Sequence, residues 1–570
     1  MNTVVRHTRA GAAWSQAPET TVIELVRDAC RRDPDRPLLI FEDGLTVTRR
    51  DLAARIESFA AALRERIAPG DMVAIILDNR AEFMIAWLAV VALRATLVSV
   101  NPDVKEHDAR HVLRDSAAVL VIISPKHQAL IDTVRGDCPA LRDVVVVGDH
   151  EPDGLPGPEA GPAFSGNQAG PAFSGNQAGP AFSGNQAGPA FSLDQAGCER
   201  GDITNVYYTS GTTGPPKGCM VDHEWWLRTA DVDLRLHPKG PDDRMLCCLQ
   251  FYYADPGWQV LAALRCGGAV VVMRRFSVSR FWNVVRSTGV TEILGIASIP
   301  ILLLKAEPSA ADRDQQVKRA LQVAVPANLH REMTDRWGFP WVDGYGITEG
   351  NFVTRVPLDL AEEMVGSGSI GIAVPEMTIR LVGDEGADVP PGATGEFWIS
   401  GPGLMRGYLN QPEATTEVLR DRWFRTGDLG RQDERGLYYF AGRKKDIIRR
   451  SGENLAAAEV EEVLRAHPKV LEAAVIGVAD DLRGEEVKAF ILPVAGHSAA
   501  TVPPGELAAW CAARLAKYKV PRYIEYRTTD FPRTPSLRVQ KTLLRTPEHD
   551  QQGPVWDREN PSVPAAQPAN

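Results

Sequence analysis

Two periodicities alternate along the first 145 residues, and that alternation narrows the fold more than any other feature. Residues 21–32 and 50–67 carry apolar side chains at helical spacing, and residues 81–93 form a nearly unbroken apolar helix. Between them, residues 38–41, 72–77, 119–123 and 144–147 are short runs rich in Val, Ile and Leu, which read as buried strands. Strand–helix–strand repetition of this kind predicts a largely parallel sheet with helices on both faces. The pattern resumes after residue 200 and continues to about residue 360. Residues 378–382, 395–400 and 437–441 then read as strands separated by Gly-rich turns, so a smaller β-rich subdomain is expected. A further α/β block follows Arg443, with a helix at 458–466 and strands near Val475 and at 489–494. The predicted architecture is α/β. A large domain, residues 1–442, combines parallel-sheet subdomains with the β-rich one. A small mobile α+β domain occupies 443–546, and a Pro-, Gln- and Asn-rich tail, 547–570, is expected to be disordered.

One segment breaks the pattern. Residues 160–195 repeat a nine-residue unit, Ala-Gly-Pro-Ala-Phe-Ser-Gly-Asn-Gln, four times, with the last copy altered. Pro, Gly, Ser, Asn and Gln at this density bury too little surface to order a core, so a disordered surface insertion is expected. Its phenylalanines, Phe164, Phe173, Phe182 and Phe191, offer a docking role as the alternative.

Composition excludes several classes. Sixty-three Lys and Arg against 73 Asp and Glu give a net charge of −10, the wrong balance for a nucleic-acid coat. The longest apolar run, residues 83–93, is too short to span a bilayer, and residues 1–18 lack the apolar stretch of a signal peptide. Eight cysteines show no CxxC spacing and no HExxH is present, so reduced core thiols and a cytoplasmic location are expected. Oligomeric state is left open.

The chemistry is concentrated in a few short stretches. Residues 208–218, Tyr-Thr-Ser-Gly-Thr-Thr-Gly-Pro-Pro-Lys-Gly, interleave hydroxyls with glycines and end near a lysine. Backbone N–H groups and the hydroxyls of Thr209, Ser210, Thr212 and Thr213, with Gly211 and Gly214 between them, can approach phosphate oxygens, and Lys217 adds a compact charge. The spacing is not that of a Walker A loop. A GxGxxG match at residues 366–371 lacks the preceding strand and following helix of a dinucleotide site.

The 208–218 stretch resembles the phosphate-loop signature of the adenylate-forming superfamily, which includes acyl-CoA synthetases, peptide-synthetase adenylation domains and luciferases. Three further signatures follow in the family's order: Gly344-Tyr345-Gly346-Ile347-Thr348-Glu349, Arg425-Thr426-Gly427-Asp428-Leu429, and Gly442-Arg443-Lys444-Lys445-Asp446 through Asn454. The resemblance covers about residues 20–546 outside the repeat and is greatest to crotonobetaine/carnitine-CoA ligase-like enzymes. It implies an AMP-forming acid–thiol ligase using ATP, Mg²⁺ and CoA. By the same resemblance Glu349 is the Mg²⁺ ligand, Thr348 bonds the α-phosphate and Tyr345 stacks near adenine. Asp428 accepts the ribose hydroxyls, Arg443 contacts the ribose and phosphate side, Lys445 is the hinge of the mobile domain, and Gly452 approaches the thiol tunnel. The acid pocket is expected to include Tyr252, Tyr253, Asp255, Trp258 and Asn351, which favours an aromatic or polar acid.

Two positions depart from the family pattern. Arg538 stands where the family's C-terminal catalytic lysine is usual, and Lys541 is the alternative cation. Tyr253 stands where many members carry His. Three functional alternatives follow: transfer to a carrier-protein thiol, activation of nitrite for transfer to an aryl amine by a diazotase, and an inactive relative serving as a binding protein.

Overall fold

A computed structural model describes residues 21–148, 191–209, 216–296, 299–451, 453–480, 482–533, 539–546 and 554–560, and the backbone of Phe164 and Ser165. The first helix, Val22–Arg32, begins with a reciprocal cap. The Thr21 N–H donates to Glu24 Oε2 (3.1 Å) and the Glu24 N–H donates to Thr21 Oγ1 (3.2 Å). Thr48 and Asp51 repeat the device at Arg49–Leu63. Two N-terminal donors that helix geometry leaves orphaned are thereby satisfied in each case.

The expected parallel layers are present as two sheets. One contains Thr96–Ser99, Met72–Ile76, Leu120–Ile123 and Asp143–Val147 in parallel beside Ile203–Thr209, and is closed by antiparallel Lys217–Asp222 and Gly407–Tyr408. In the other, Pro37–Phe41, Ala269–Val272, Arg244–Cys247, Glu292–Ile296, Arg319–Val323 and Trp341–Ile347 run parallel in that order. It continues antiparallel through Asn351–Arg355 and Ser369–Ala373 into the β-rich part, formed by Tyr438–Arg443, Trp423–Gln432, Gly395–Ser400 and Thr378–Val382.

The largest apolar cluster draws on both sheets, through Val73, Leu120, Leu39 and Val271, and on the helices packed with them. This explains why Ala81–Ala92 is buried along its whole length and carries no polar face. Its Trp87 packs on Trp226 at 4.7 Å, and both indole N–H groups donate to Asn205 Oδ1. Helices His223–Leu236 and Ala254–Cys266 approach closely because Gly257 has no side chain; a Cβ there would lie 2.6 Å from the Trp226 ring.

The GxGxxG stretch leads into strand Ser369–Ala373 and then strand Thr378–Val382, with no helix, so it lacks the dinucleotide topology. All eight cysteines are free thiols. Within the repeat, expected to be disordered over 160–195, the backbone of Phe164–Ser165 pairs with Val146–Val147. The end of the repeat is corrected to an ordered segment: Leu193–Gln195 forms a short 3₁₀ turn capped by Ser192, with Leu193 buried. Residues 160–163 and 166–190 lie outside the described residues.

The C-terminal domain is built on Gly484–Pro493, flanked by Val470–Asp480, Ile447–Arg450 and parallel Tyr523–Tyr526. Here one expectation is corrected. The tail is ordered at 554–560, where Val555–Asp557 adds an antiparallel strand to Tyr523–Tyr526. Its anchors are local: Asp557 is buried against Arg522 (3.2 Å), and Trp556 packs against the domain core. A short Val-Trp-Asp run with a buried ion pair overrides the disorder-prone composition around it.

Candidate active site

The Gly/Thr-rich stretch is the connection of a β-hairpin. Thr209 and Lys217 face each other at the ends of the two strands, and the Thr209 hydroxyl donates to the Lys217 carbonyl (3.4 Å). Ser210, Gly211, Thr212, Thr213 and Gly214 lie between these anchors and outside the described residues. The hairpin is drawn tight at Gly218, where a Cβ would sit 2.8 Å from Val206.

Lys217 extends its ammonium over the Tyr408 ring, 5.1 Å from the centroid. The Tyr408 hydroxyl donates to Glu349 Oε1 at 3.0 Å. One tyrosine therefore joins the first two sequence motifs. It is positioned by the Gly407–Tyr408 strand, which pairs with Met220 and Cys219 beside Lys217. The turn bearing Glu349 is held by the backbone as well: Thr348 accepts from Trp225 Nε1 (3.0 Å), and Glu349 accepts at its carbonyl from the Met405 N–H (2.8 Å). Burial pushes the Glu349 carboxyl above the ordinary range, against the pull of the Tyr408 hydroxyl and the Arg443 charge.

A second constellation is built around Tyr345 of the Trp341–Ile347 strand. The Tyr345 ring stacks on Phe397 at 5.4 Å and lies 5.9 Å from Phe440, and its hydroxyl donates to Asp428 Oδ2 at 2.6 Å. Arg443 Nε is 3.0 Å from Asp428 Oδ1, across the ladder that places these two residues side by side. Asp428 is only 2% exposed, so both its oxygens are engaged by protein groups. Past Arg443, Lys444 spans Asp384 (3.2 Å) and Glu396 (3.5 Å), while Lys445 is exposed in the following turn. Gly452 lies outside the described residues.

The two C-terminal cations have different placements. Lys541 is bound within its own domain, 2.7 Å from Glu461 Oε1, an oxygen that also accepts from the Val475 N–H. Arg538 lies outside the described residues.

The five residues expected around the acid divide. Tyr252 and Tyr253 are half-buried with ring centroids 4.2 Å apart, and Asp255 sits in the first turn of the helix that Tyr253 caps. Trp258 is corrected to a core residue: it is 1% exposed and its ring packs edge-on against Phe352 (5.3 Å). Asn351 is likewise corrected. It adopts a left-handed φ of 65°, its amide donates to the Trp225 carbonyl (2.9 Å) and to Thr229, and its Oδ1 accepts from the Phe352 N–H. All of its amide capacity is spent holding a turn against a helix.

Tyr408 was missed by sequence reasoning. Its only local signal is a Gly-Tyr pair closing a Gly-rich stretch, and its role arises from a pairing with a distant strand. Among the described residues, no group of three or more His, Cys, Asp or Glu could hold a metal ion. No helix among them is long and apolar enough to cross a membrane.

Comparison with known proteins agrees with this geometry. The sequence matches the AMP-binding enzyme family over residues 26–409 and the AMP-binding enzyme C-terminal domain over residues 459–538. It is 32% identical over 499 residues to an indoleacetate–CoA ligase of Aromatoleum aromaticum, covering 87% of this chain and 92% of that one. It is 36% identical over 344 residues to a sulfoacetate–CoA ligase of Cupriavidus necator, covering 60% of this chain and 66% of the other. The fold is similar to ATP-bound MatB from Rhodopseudomonas palustris, with a TM-score of 0.76 and 25% identity over 93% of this chain and 99% of that one.

Proposed function

Because this chain belongs to the AMP-binding enzyme family and is an enzyme of acyl-CoA synthetase type, we propose that it adenylates a carboxylic acid with ATP and passes the acyl group to CoA. The observation that carries this reading is the joined trio of Lys217, Tyr408 and Glu349 at the mouth of the hairpin loop.

Attack of a carboxylate oxygen on the α-phosphorus brings two anions together, so the site must neutralise charge and fix an in-line approach. Lys217 supplies positive charge where the loop meets the phosphates. Glu349, with one oxygen turned to Tyr408, would hold Mg²⁺ through the other, since a carboxylate oxygen suits a hard cation. Bound there, Mg²⁺ supplies charge neutralisation at the phosphates. Asp428 accepts the ribose hydroxyls once they exchange for its bonds to Tyr345 and Arg443. Of the two C-terminal cations, Arg538 serves the adenylation step, because Lys541 is committed to Glu461.

The acid is aromatic or polar. Half-buried Tyr252, Tyr253 and Asp255 support that class, and relatives of the chain named for indoleacetate and sulfoacetate lie at its two extremes. The experiment is release of pyrophosphate and AMP from ATP with panels of acids, with and without CoA. Acid-dependent pyrophosphate release pulled forward by CoA is the expected result. Release that requires nitrite in place of a carboxylic acid contradicts the reading, as does the absence of any nucleotide turnover.

A further inference from the structure

The last residue of strand Asn351–Arg355 is an arginine only 1% exposed, and its Nε, Nη1 and Nη2 make no hydrogen bond among the described residues. A buried guanidinium without a partner costs several kcal/mol and persists where something else compensates it.

Asp233, Asp343, Asp255 and Glu292 all act on Arg355 electrostatically, and each of them also holds another partner. Asp233 is 2.7 Å from Lys239. Glu292 is 2.6 Å from Arg319 and 3.1 Å from Lys239. Asp343 accepts the N–H groups of Ala324, Val325 and Gly344. Asp255, the fourth, lies 3.4 Å from the Trp258 indole nitrogen.

The arginine's direction is fixed by the sheet. Val323, Gly344 and Arg355 lie abreast on three neighbouring strands. A Cβ on Gly344 would meet Arg355 Cδ at 2.7 Å and Nη1 at 3.0 Å, so the missing side chain makes the room that the guanidinium occupies. The side chain runs back along its strand, with its guanidinium carbon 4.3 Å from the Phe352 ring centroid, towards the turn that carries Thr348 and Glu349. Tyr345, the neighbour of Gly344, points to the opposite face, where Phe397 and Asp428 lie. Arg355 is thus on the face opposite Tyr345, and Asp255, in the first turn of the helix that Tyr253 caps, acts on it electrostatically.

We propose that Arg355 is the counter-ion for a second oxyanion, a carboxylate or sulfonate at the far end of the acid, so that the enzyme selects a short dianionic acid. The inference rests on the ligase reading above and narrows its acid to the polar class. A guanidinium presents parallel N–H donors that match two oxygens of such a group, which a lysine does not. A neutral acid of the same length leaves the guanidinium buried and unpaired.

The test compares kcat/KM for acid-dependent pyrophosphate release with malonate, succinate and sulfoacetate against propionate, butyrate and phenylacetate, in the wild type and in Arg355→Met. The wild type is expected to prefer the dianions by at least ~100-fold over neutral acids of matching length. Arg355→Met is expected to lose at least ~100-fold on the dianions and to change less than ~5-fold on the neutral acids, with Arg355→Lys intermediate. A wild-type preference for neutral acids overturns the proposal, as does an equal loss on every acid. If Arg355→Met does not fold, the wild-type ratio alone decides. If no acid releases pyrophosphate, the ligase reading fails, and thermal shifts then decide the fate of Arg355. Stabilisation by malonate or sulfoacetate in the wild type but not in Arg355→Lys supports its role, and equal or absent shifts overturn it.

Discussion

Replacing Tyr408 by Phe removes a single hydroxyl while keeping the ring beneath Lys217. That hydroxyl donates to Glu349 Oε1 at 3.0 Å, in a half-buried site where burial already pushes the carboxyl upward. Hydrogen bonds to charged groups are worth about 1.5–3 kcal/mol. Expressed fully in the transition state for adenylation, that loss corresponds to roughly a 10- to 150-fold drop in kcat/KM. Removing a donor that favours the charged form also raises the Glu349 carboxyl further, so the acid limb of the pH–rate profile is expected to move to higher pH. Tyr408→Ala additionally deletes the ring under the ammonium, a contact worth about 0.5–2 kcal/mol, and is expected to lose a further ~2- to 30-fold. The assay is steady-state pyrophosphate release at saturating acid over a range of ATP–Mg²⁺ and pH. If Tyr408→Phe stays within twofold of wild type with an unchanged acid limb, the link between the two motifs has no role in catalysis and the reasoning fails.

Arg538→Ala is expected to slow pyrophosphate release at least ~100-fold, whereas Lys541→Ala changes it less than ~5-fold and lowers the melting temperature; the reverse order would assign the cation to Lys541. Asp343 has its carboxyl pushed by burial from 3.8 to about 7, despite three backbone donors. The folded state therefore binds more protons than the unfolded one between about pH 4 and 7, and this group's contribution to stability falls as pH rises through that window, by up to ~1.4 kcal/mol per pH unit. Asp343→Asn lacks that titration, so its stability relative to wild type is expected to improve between pH 5 and pH 8 in chemical denaturation, and a constant difference would contradict the assignment. Gly257→Ala places a methyl against the Trp226 ring and is expected to cost about 1–3 kcal/mol, seen as a lower first unfolding transition.

Features written in contiguous residues were legible beforehand. The parallel strands at 72–76 and 120–123 are Val/Ile-rich runs buried on both faces, and periodicity alone locates them. Thr378–Val382 and Gly395–Ser400 likewise fall where Gly-rich turns mark them off. Features depending on long-range pairing were not legible. Tyr408 gains its meaning only when Gly407–Tyr408 pairs beside Lys217, and Lys541 only when it meets Glu461. Polar type also misleads: Asn351 looks like a pocket group, yet its left-handed φ and its bonds to the 223–236 helix make it a brace. Trp258 is equally apolar in a core or on a pocket wall, and only packing distinguishes the two. Arg355 gave no warning in the sequence, because an arginine at a strand end is ordinarily solvated.

The central claim is that a carboxylate oxygen becomes bonded to the α-phosphorus of ATP and leaves on AMP when the thiol attacks. The most direct measurement uses an acid that supports pyrophosphate release, labelled with ¹⁸O in both carboxylate oxygens, with ATP, Mg²⁺ and CoA, followed by mass spectrometry of the nucleotide. One ¹⁸O per AMP, together with one in the thioester carbonyl, is the predicted result. Unlabelled AMP, or ADP and phosphate as the products, would contradict it.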